Sequence, residues 1–272
     1  MTTSDRAAAV GCIVLAGGAS SRLGVDKATL DWHGTKLYER VARLLARGLG
    51  GGPIVVVDRF GSDLDVPSWL ERTTDSQPDA GPLVGLLAGL EALAGRVDSA
   101  VVVPCDLPLL HPAVVRKLAQ SLASGSFDLA APMAQTKDRV LPLPGAWSLS
   151  STNAVRSAVA AGQRSPAKLA KGFSCSPLTL ATLAEDPEVS RTDPDLESLR
   201  DIDTPEDHAG LLSSPPKVRV SRSGRVSTLQ AWTLGQLASA IGGDPDGPCV
   251  VNGLPIEFDP AFPLARRDAV SM

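Results

Sequence analysis

The sequence is short of several things at once. Aromatic residues make up 4% of its 272 positions, with a single tyrosine, and there are only three histidines. No apolar run approaches the roughly 18 residues that a membrane helix needs, so no membrane span is expected. Positive charge is not in excess: 26 Lys and Arg stand against 30 Asp and Glu, a net charge of -4. Nucleic-acid binding, which leaves a basic footprint, is therefore not expected. The four cysteines, Cys12, Cys105, Cys175 and Cys249, lie far apart, without the paired spacing of a zinc site. Cys12 and Cys105 sit in or beside apolar runs, where a thiol behaves as a small buried hydrophobe. The opening "MTTSDRAAAVG" lacks a basic-then-apolar leader pattern. A reducing cytoplasm is the expected compartment.

What the chain does have is alternation. Short β-rich runs, "CIVLA" (12–16), "PIVVVD" (53–58), "SAVVVP" (99–104) and "FDLAAP" (127–132), are separated by amphipathic segments at 37–49, 83–95 and 112–124. In the last of these, Val114, Val115, Leu118 and Leu122 share one helical face. Continuous apolar strands between helices predict an α/β fold: a Rossmann-like, mostly parallel sheet with helices on both faces. Ligands of such folds bind outside the carboxyl ends of the strands. A break in composition at "LLSSPPKV" (211–218) predicts a domain over 1–212, a linker at 213–217 and a small unit at 218–272. That unit reads as a hairpin, one helix at 234–243, and further strand-like residues.

The first strand runs into "GGASSRLGVDK" (17–27). Glycines let backbone N–H groups approach phosphate oxygens and form an anion nest. Arg22 can fork two phosphate oxygens, and Lys27 supplies a compact positive charge. A Walker A loop is excluded, because Gly18 and Gly24 are separated by five residues and Val25 follows the second. The dinucleotide fingerprint G-x-G-x-x-G is absent too. From the loop alone, a triphosphate cradle and a plain strand-to-helix turn both remain open.

"LAGGASSRLGVDK" (15–27) resembles the signature L-A-G-G-x-S-x-R-[ML]-G-x-D-K of the molybdenum cofactor guanylyltransferases, members of the wider Rossmann-like nucleotidyltransferases. The spacing is unbroken, and the Asp26-Lys27 pair favours the guanylyl over the cytidylyl branch. The resemblance implies that backbone of Leu15, Ala16, Gly17 and Gly18 holds the nucleotide while Arg22 and Lys27 meet its phosphates.

Three further segments carry carboxylates. "VVVPCDLPLL" (101–110) ends an apolar strand with Asp106, and a carboxylate there, facing a phosphate loop, can hold Mg²⁺. It can equally cap the turn before the next helix. The family's C-D-x-P motif at this point implies the metal role. "TTDSQPDAGPLVGLLAGL" (73–90) is similar to the family's D-x(n)-G-P-L-x-G segment, which implies that Asp75 helps bind the nucleoside. A carboxylate accepting from guanine N1–H and N2–H₂ suits GTP, since adenine lacks that donor pair. Asp79 competes for this role, and a solvated loop acid is the alternative. "LRDIDTPEDHAGLL" (199–212) resembles the closing [ND]-x-[ND]-T-P-E-[DE] motif. If 201–203 is extended, Asp201 and Asp203 point to one side, and Asp203 or Asp201 can add a second metal ligand. Thr204-Pro205-Glu206-Asp207 also reads as a helix start.

The resemblance covers 11–110 well, 125–172 loosely and 199–212 again. Leu141 stands where the family's Gln-Pro-Leu element should supply glutamine. Residues 249–272 are similar to the last part of small ubiquitin-like (β-grasp) sulfur carriers, with their V-N-G…L-x-x-G-D-x-V pattern. The chain stops at Val270-Ser271-Met272 without Gly-Gly, so no carrier chemistry is expected. A docking module for other molybdenum cofactor biosynthesis proteins, an oligomerisation surface and a packed vestige remain open.

Taken together, the resemblance implies a Mg²⁺-dependent enzyme that moves GMP from GTP to the phosphate of molybdopterin or its molybdenum-loaded form. Its implied catalytic residues are Arg22, Lys27 and Asp106, with Asp106 and Asp203 on the metal. The alternatives are CTP or another phosphorylated acceptor, and a non-catalytic scaffold for cofactor assembly.

Overall fold

The structure, a computed structural model, describes residues 9–17, 26–77, 81–131, 133–134, 139–176, 178–243 and 249–272. The first unit opens with β1 (Val10–Leu15), a small hairpin of β2 (Asp31–Trp32) and β3 (Thr35–Lys36), and helix α1 (Leu37–Leu49). It continues through β4 (Ile54–Asp58), β5 (Glu71–Thr74), α2 (Pro82–Ala92), β6 (Ser99–Pro104) and α3 (Pro112–Ala123). Then come β7 (Leu129–Ala130), a second hairpin of β8 (Met133–Ala134) and β9 (Arg139–Val140), and β10 (Gly145–Ser148). Helices α4 (Thr152–Ala160), α5 (Pro166–Leu169), α6 (Leu180–Ala184), α7 (Pro187–Thr192) and α8 (Pro205–Leu212) close the unit.

Six strands form one sheet in the order β5-β4-β1-β6-β10-β7. β1 lies between β4 and β6 and is parallel to both, with Val14 opposite Val56 on one side and Val103 on the other. Successive side chains of these strands go to opposite faces. Cys12, Val14, Val56, Val101 and Val103 pack with α1 and α3 residues, while Ile13, Leu15, Val55, Val57 and Val102 pack with those of α2. Helices therefore cover both faces, which is why the strands read as unbroken apolar runs. The chain leaves β1 for β4 on one side and returns to β6 on the other. A topological switch point thus lies at the carboxyl end of β1, where a crevice is expected.

The fit is tight enough to test. Gly89 of α2 lies on the central strand, and a Cβ there would come within 2.6 Å of Ile13 Cγ2. Gly89→Ala gains up to about 1 kcal/mol of helix propensity. Overpacking against the fully buried Ile13 costs about 1–3 kcal/mol. The expected net result is a lower urea midpoint, read by far-UV circular dichroism; an unchanged or higher midpoint would contradict this packing.

The second unit holds β11 (Lys217–Arg222), β12 (Arg225–Gln230), helix α9 (Leu234–Ala240), β13 (Cys249–Val251), β14 (Leu254–Ile256) and β15 (Ala269–Ser271). Its sheet order is β12-β11-β15-β13-β14, with β15 returning parallel to β11 at the centre. A hairpin, a helix and a parallel central return are the β-grasp-like arrangement expected from the sequence. Ser223-Gly224 and Asn252-Gly253 turn the two hairpins with positive φ at both positions, as two-residue turns require. Val218, Val220, Leu234, Leu237, Leu264 and Val270 form this unit's own core.

Two expectations shift in detail. The strand expected over 127–132 is two residues long, and the sheet is completed by β10, antiparallel to both β6 and β7. β10 places Trp147 fully inside, its indole N–H donating to Pro142 O at 3.2 Å. All four cysteines are free, and burial pushes the Cys12 thiol up to about 12. Among the described residues no helix is long and apolar enough to cross a membrane.

Candidate active site

Lys27 opens a single 3₁₀ turn (Lys27–Thr29), held by Asp26, whose carboxylate accepts from Ala28 N at 3.0 Å. From there the Lys27 ammonium donates to Asp106 Oδ2 at 3.0 Å and to Asp203 Oδ1 at 2.9 Å. These residues are 79 and 176 positions away in sequence. Asp106 stands just past the carboxyl end of β6, and Asp203 just before the capping box that starts α8. Thr204 and Asp207 form that box reciprocally, so the helix-start reading of 204–207 holds beside the placement of Asp203. Ile202 is fully buried and its N–H donates to Asp106 O at 3.1 Å, which pins Asp203 to the site. The structure brings Asp203, rather than the exposed Asp201, to the ammonium.

The charges are coupled. Burial favours the neutral form of Lys27, but hydrogen bonding and attraction from Asp203 and Asp106 outweigh it and hold its pKa above the ordinary value. Burial raises the pKa of Asp106, and the ammonium offsets only part of that. Two carboxylates converging on one cation can also accept a divalent ion. Mg²⁺ keeps several waters and needs only one or two protein carboxylates beside substrate phosphates. Among the described residues no group of three or more His, Cys, Asp or Glu side chains gathers around a metal position.

The other half of the crevice is built at the ends of β1, β4 and β5. Asp75 follows β5, is 8% exposed, and its Oδ1 has no hydrogen-bond partner among the described residues. Burial, and then the nearby charge of Asp58, raises its pKa to about 6. Asp58 itself is fully engaged, accepting from Arg59 N, Leu64 N and the Arg72 guanidinium. Asp75 instead lies between two glycines: a Cβ on Gly17 would be 3.2 Å from Oδ2, and one on Gly85 would be 2.9 Å from Oδ1. An orphaned carboxylate between two bare backbones fits a donor pair on a flat ligand.

The Ala16 N–H donates to Val57 O at 2.8 Å, and Leu15 O accepts from Cys105 N at 3.0 Å. These groups complete the sheet, so the first described backbone past the ladder is that of Gly17. Gly18, Arg22 and Asp79 lie outside the described residues. Sequence reasoning missed Arg59. It follows β4, lies beside Gly17 and pairs with Asp26 at 3.4 Å. Its position after a strand's carboxyl end was the available signal.

Gly85 offers a direct test. Gly85→Ala suits a helix, and the clash falls on the movable end of Asp75. The fold is expected to survive, with a thermal midpoint near that of the parent. On the expectation from the sequence that Asp75 accepts from guanine, GTP affinity should drop about tenfold as the carboxylate is displaced, the scale of one charge-assisted hydrogen bond. Calorimetric titration with GTP would check this; unchanged affinity would remove Asp75 from the nucleotide site.

A family model described as the MobA-like NTP transferase domain matches residues 12–175. The chain belongs to that family. It is 43% identical over 106 residues to a molybdenum cofactor guanylyltransferase of Xanthomonas euvesicatoria, covering 39% of this chain and 51% of that protein. It is 37% identical over 134 residues to another from Cupriavidus necator, covering 46% and 62%. The chain thus spans between half and two thirds of the length of these relatives. Among solved structures, the fold is similar to molybdopterin-guanine dinucleotide biosynthesis protein A from Archaeoglobus fulgidus, with a TM-score of 0.59 and 22% identity, over 75% of this chain and 97% of that one. It is also similar to 4-diphosphocytidyl-2C-methyl-D-erythritol synthase from Anaerococcus prevotii, with a TM-score of 0.53 and 13% identity, over 76% and 95%. The architecture is therefore shared by proteins named for guanine and for cytidine nucleotides, and it does not choose between them.

Proposed function

We propose that this chain transfers GMP from GTP to the terminal phosphate of molybdopterin, or of its molybdenum-loaded form, and releases pyrophosphate. The observation that carries this reading is the convergence of Lys27, Asp106 and Asp203 at the carboxyl ends of the central strands, with the orphaned Asp75 on the far side of β1. The names of the guanylyltransferase relatives support the choice of donor and acceptor.

In the reaction an acceptor phosphate oxygen attacks the α-phosphorus of GTP. The bond from that phosphorus to the bridging oxygen breaks, and the electron pair leaves with pyrophosphate. The nucleophile is an anion near neutral pH, so no general base is needed. The protein's task is to align several negative groups and offset their charge. Mg²⁺ held by Asp106 and Asp203 would neutralise charge on the triphosphate. Lys27, released from its carboxylates, would turn to the phosphates, assisted by Arg22 and the backbone of Gly17 and Gly18. Asp75 would accept from the guanine edge. A reducing, cytoplasmic compartment fits this reading, and the four free thiols support it.

The test is pyrophosphate release on incubation with molybdopterin, Mg²⁺ and each of the four nucleoside triphosphates. Release with GTP alone is expected. Release with CTP alone would transfer the reading to the cytidylyl branch, and release with none would leave a scaffold.

A further inference from the structure

The matched family span ends at residue 175, yet the second unit packs against the segments that carry the site. Trp32, Leu37, Ile202, Leu211 and Trp232 form a separate buried cluster, with Leu30 and Leu109 packed against it. Each segment bearing a member of the Lys27–Asp106–Asp203 cluster sends a side chain there. Leu30 and Trp32 follow Lys27, Leu109 follows Asp106, and Ile202 precedes Asp203. The remaining large member, Trp232, comes from the second unit. Its ring meets Trp32 edge-on, with centroids 4.9 Å apart, and its indole N–H donates to Leu212 O at 3.1 Å.

Arg40 of α1 fastens this cluster. Its guanidinium is buried and donates to Pro108 O at 2.8 Å, Trp232 O at 3.3 Å and Leu264 O at 3.1 Å. It also lies over the Trp232 and Trp32 rings, at 4.7 and 5.7 Å from their centroids. Among the described residues no carboxylate forms a salt bridge with it, and those carbonyls, the ring faces and the more distant charge of Asp268 offset the cost of its burial. Two of the three carbonyls belong to the second unit and the third to the loop that carries Asp106. One side chain therefore grips the Asp106 loop and the second unit together, and neither grip is independent of the other.

We propose that the second unit is a positioning element for the Lys27–Asp106–Asp203 cluster, acting through Trp232 and Arg40. Neither residue reaches the reacting atoms; both set the backbone from which the charged side chains project. Asp75 stands across the crevice, beyond β1, and is outside this grip.

The kinetic arm of the test rests on the transfer reading above. Trp232→Ala in the full chain is expected to lower kcat by about 10- to 100-fold, the cost of misplacing charged groups by a fraction of an ångström to an ångström. KM for GTP should stay within about threefold of the parent, since the nucleoside side is untouched. Trp232→Phe, which keeps a ring against Trp32, should recover most of the rate. An unchanged kcat in Trp232→Ala, or no recovery with phenylalanine, would overturn the proposal. A second measurement needs no variant and no turnover: hydrogen exchange of the parent protein in sub-denaturing urea. Amides of 27–32 and 105–111 should lose protection together with those of β11 and β15. Retention of protection at 27–32 after the second sheet has opened would also overturn it. A parent that is inactive with every nucleotide yet shows joint opening would instead refute the transfer reading and leave the coupling standing.

Discussion

Lys27→Ala is expected to lower the rate of GMP transfer by about 10²- to 10³-fold, the usual cost of removing one donor aimed at developing phosphate charge. The same substitution should reduce the Mg²⁺ concentration needed for half-maximal activity. The ammonium occupies the space between Asp106 Oδ2 and Asp203 Oδ1, at 3.0 and 2.9 Å, so it would compete with a bound divalent ion for the same oxygens. Asp106→Asn should show the opposite pattern in metal dependence. Its loss of rate should be comparable, but the Mg²⁺ requirement should rise, because one of two anionic ligands is gone and the ammonium keeps Asp203. Rates of pyrophosphate release measured against Mg²⁺ concentration separate the two variants. Parent-like activity in both, at every Mg²⁺ concentration, would dismiss this cluster as the catalytic centre.

The second large effect concerns pH. Asp75 has a pKa raised to about 6 by burial and by Asp58, so it is ionised above that pH and protonated below it. Only the ionised form accepts two hydrogen bonds from the guanine N1–H and N2–H₂. GTP affinity is therefore expected to be flat above pH 7 and to weaken as pH falls through 6, with proton release on binding in the acidic range. In the absence of nucleotide the sign is reversed for stability. A carboxyl whose folded pKa is raised binds its proton more tightly when folded, so the unliganded protein gains stability from this group as pH falls from 7 toward 4. Asp75→Asn should weaken GTP binding at pH 7.5 by about 10- to 100-fold, as expected for losing charge-assisted bonds in a buried site. It should also flatten the acidic limb of the profile. The terminal phosphate of GTP ionises near pH 6 as well, and the variant isolates that contribution. Equal GTP affinity of the parent at pH 5 and 7.5 would remove Asp75 from the guanine edge.

Much of this architecture was legible because it rests on local pattern. Helix α1 spans 37–49 as its apolar spacing predicts, and the three central strands are continuous aliphatic runs because both their faces are covered. β10 was not legible. Four residues, "GAWS", following a proline, carry no alternation of their own and become a strand only because β6 and β7 offer edges to pair with. The charged cluster was visible as three separate motifs, but nothing in their spacing says that Lys27 would bridge Asp106 and Asp203. Arg40 was hidden for the opposite reason. On an amphipathic helix it reads as a solvent-facing charge, but Trp32, the Asp106 loop and the second unit together enclose it.

Asp203 lies beyond residue 175, where the family match ends. A protein trimmed to the matched segment would keep its central strands yet offer a divalent ion a single anchoring carboxylate. The failure of such a shortened enzyme to turn over would be a defect of the cut, and easily mistaken for a property of the fold.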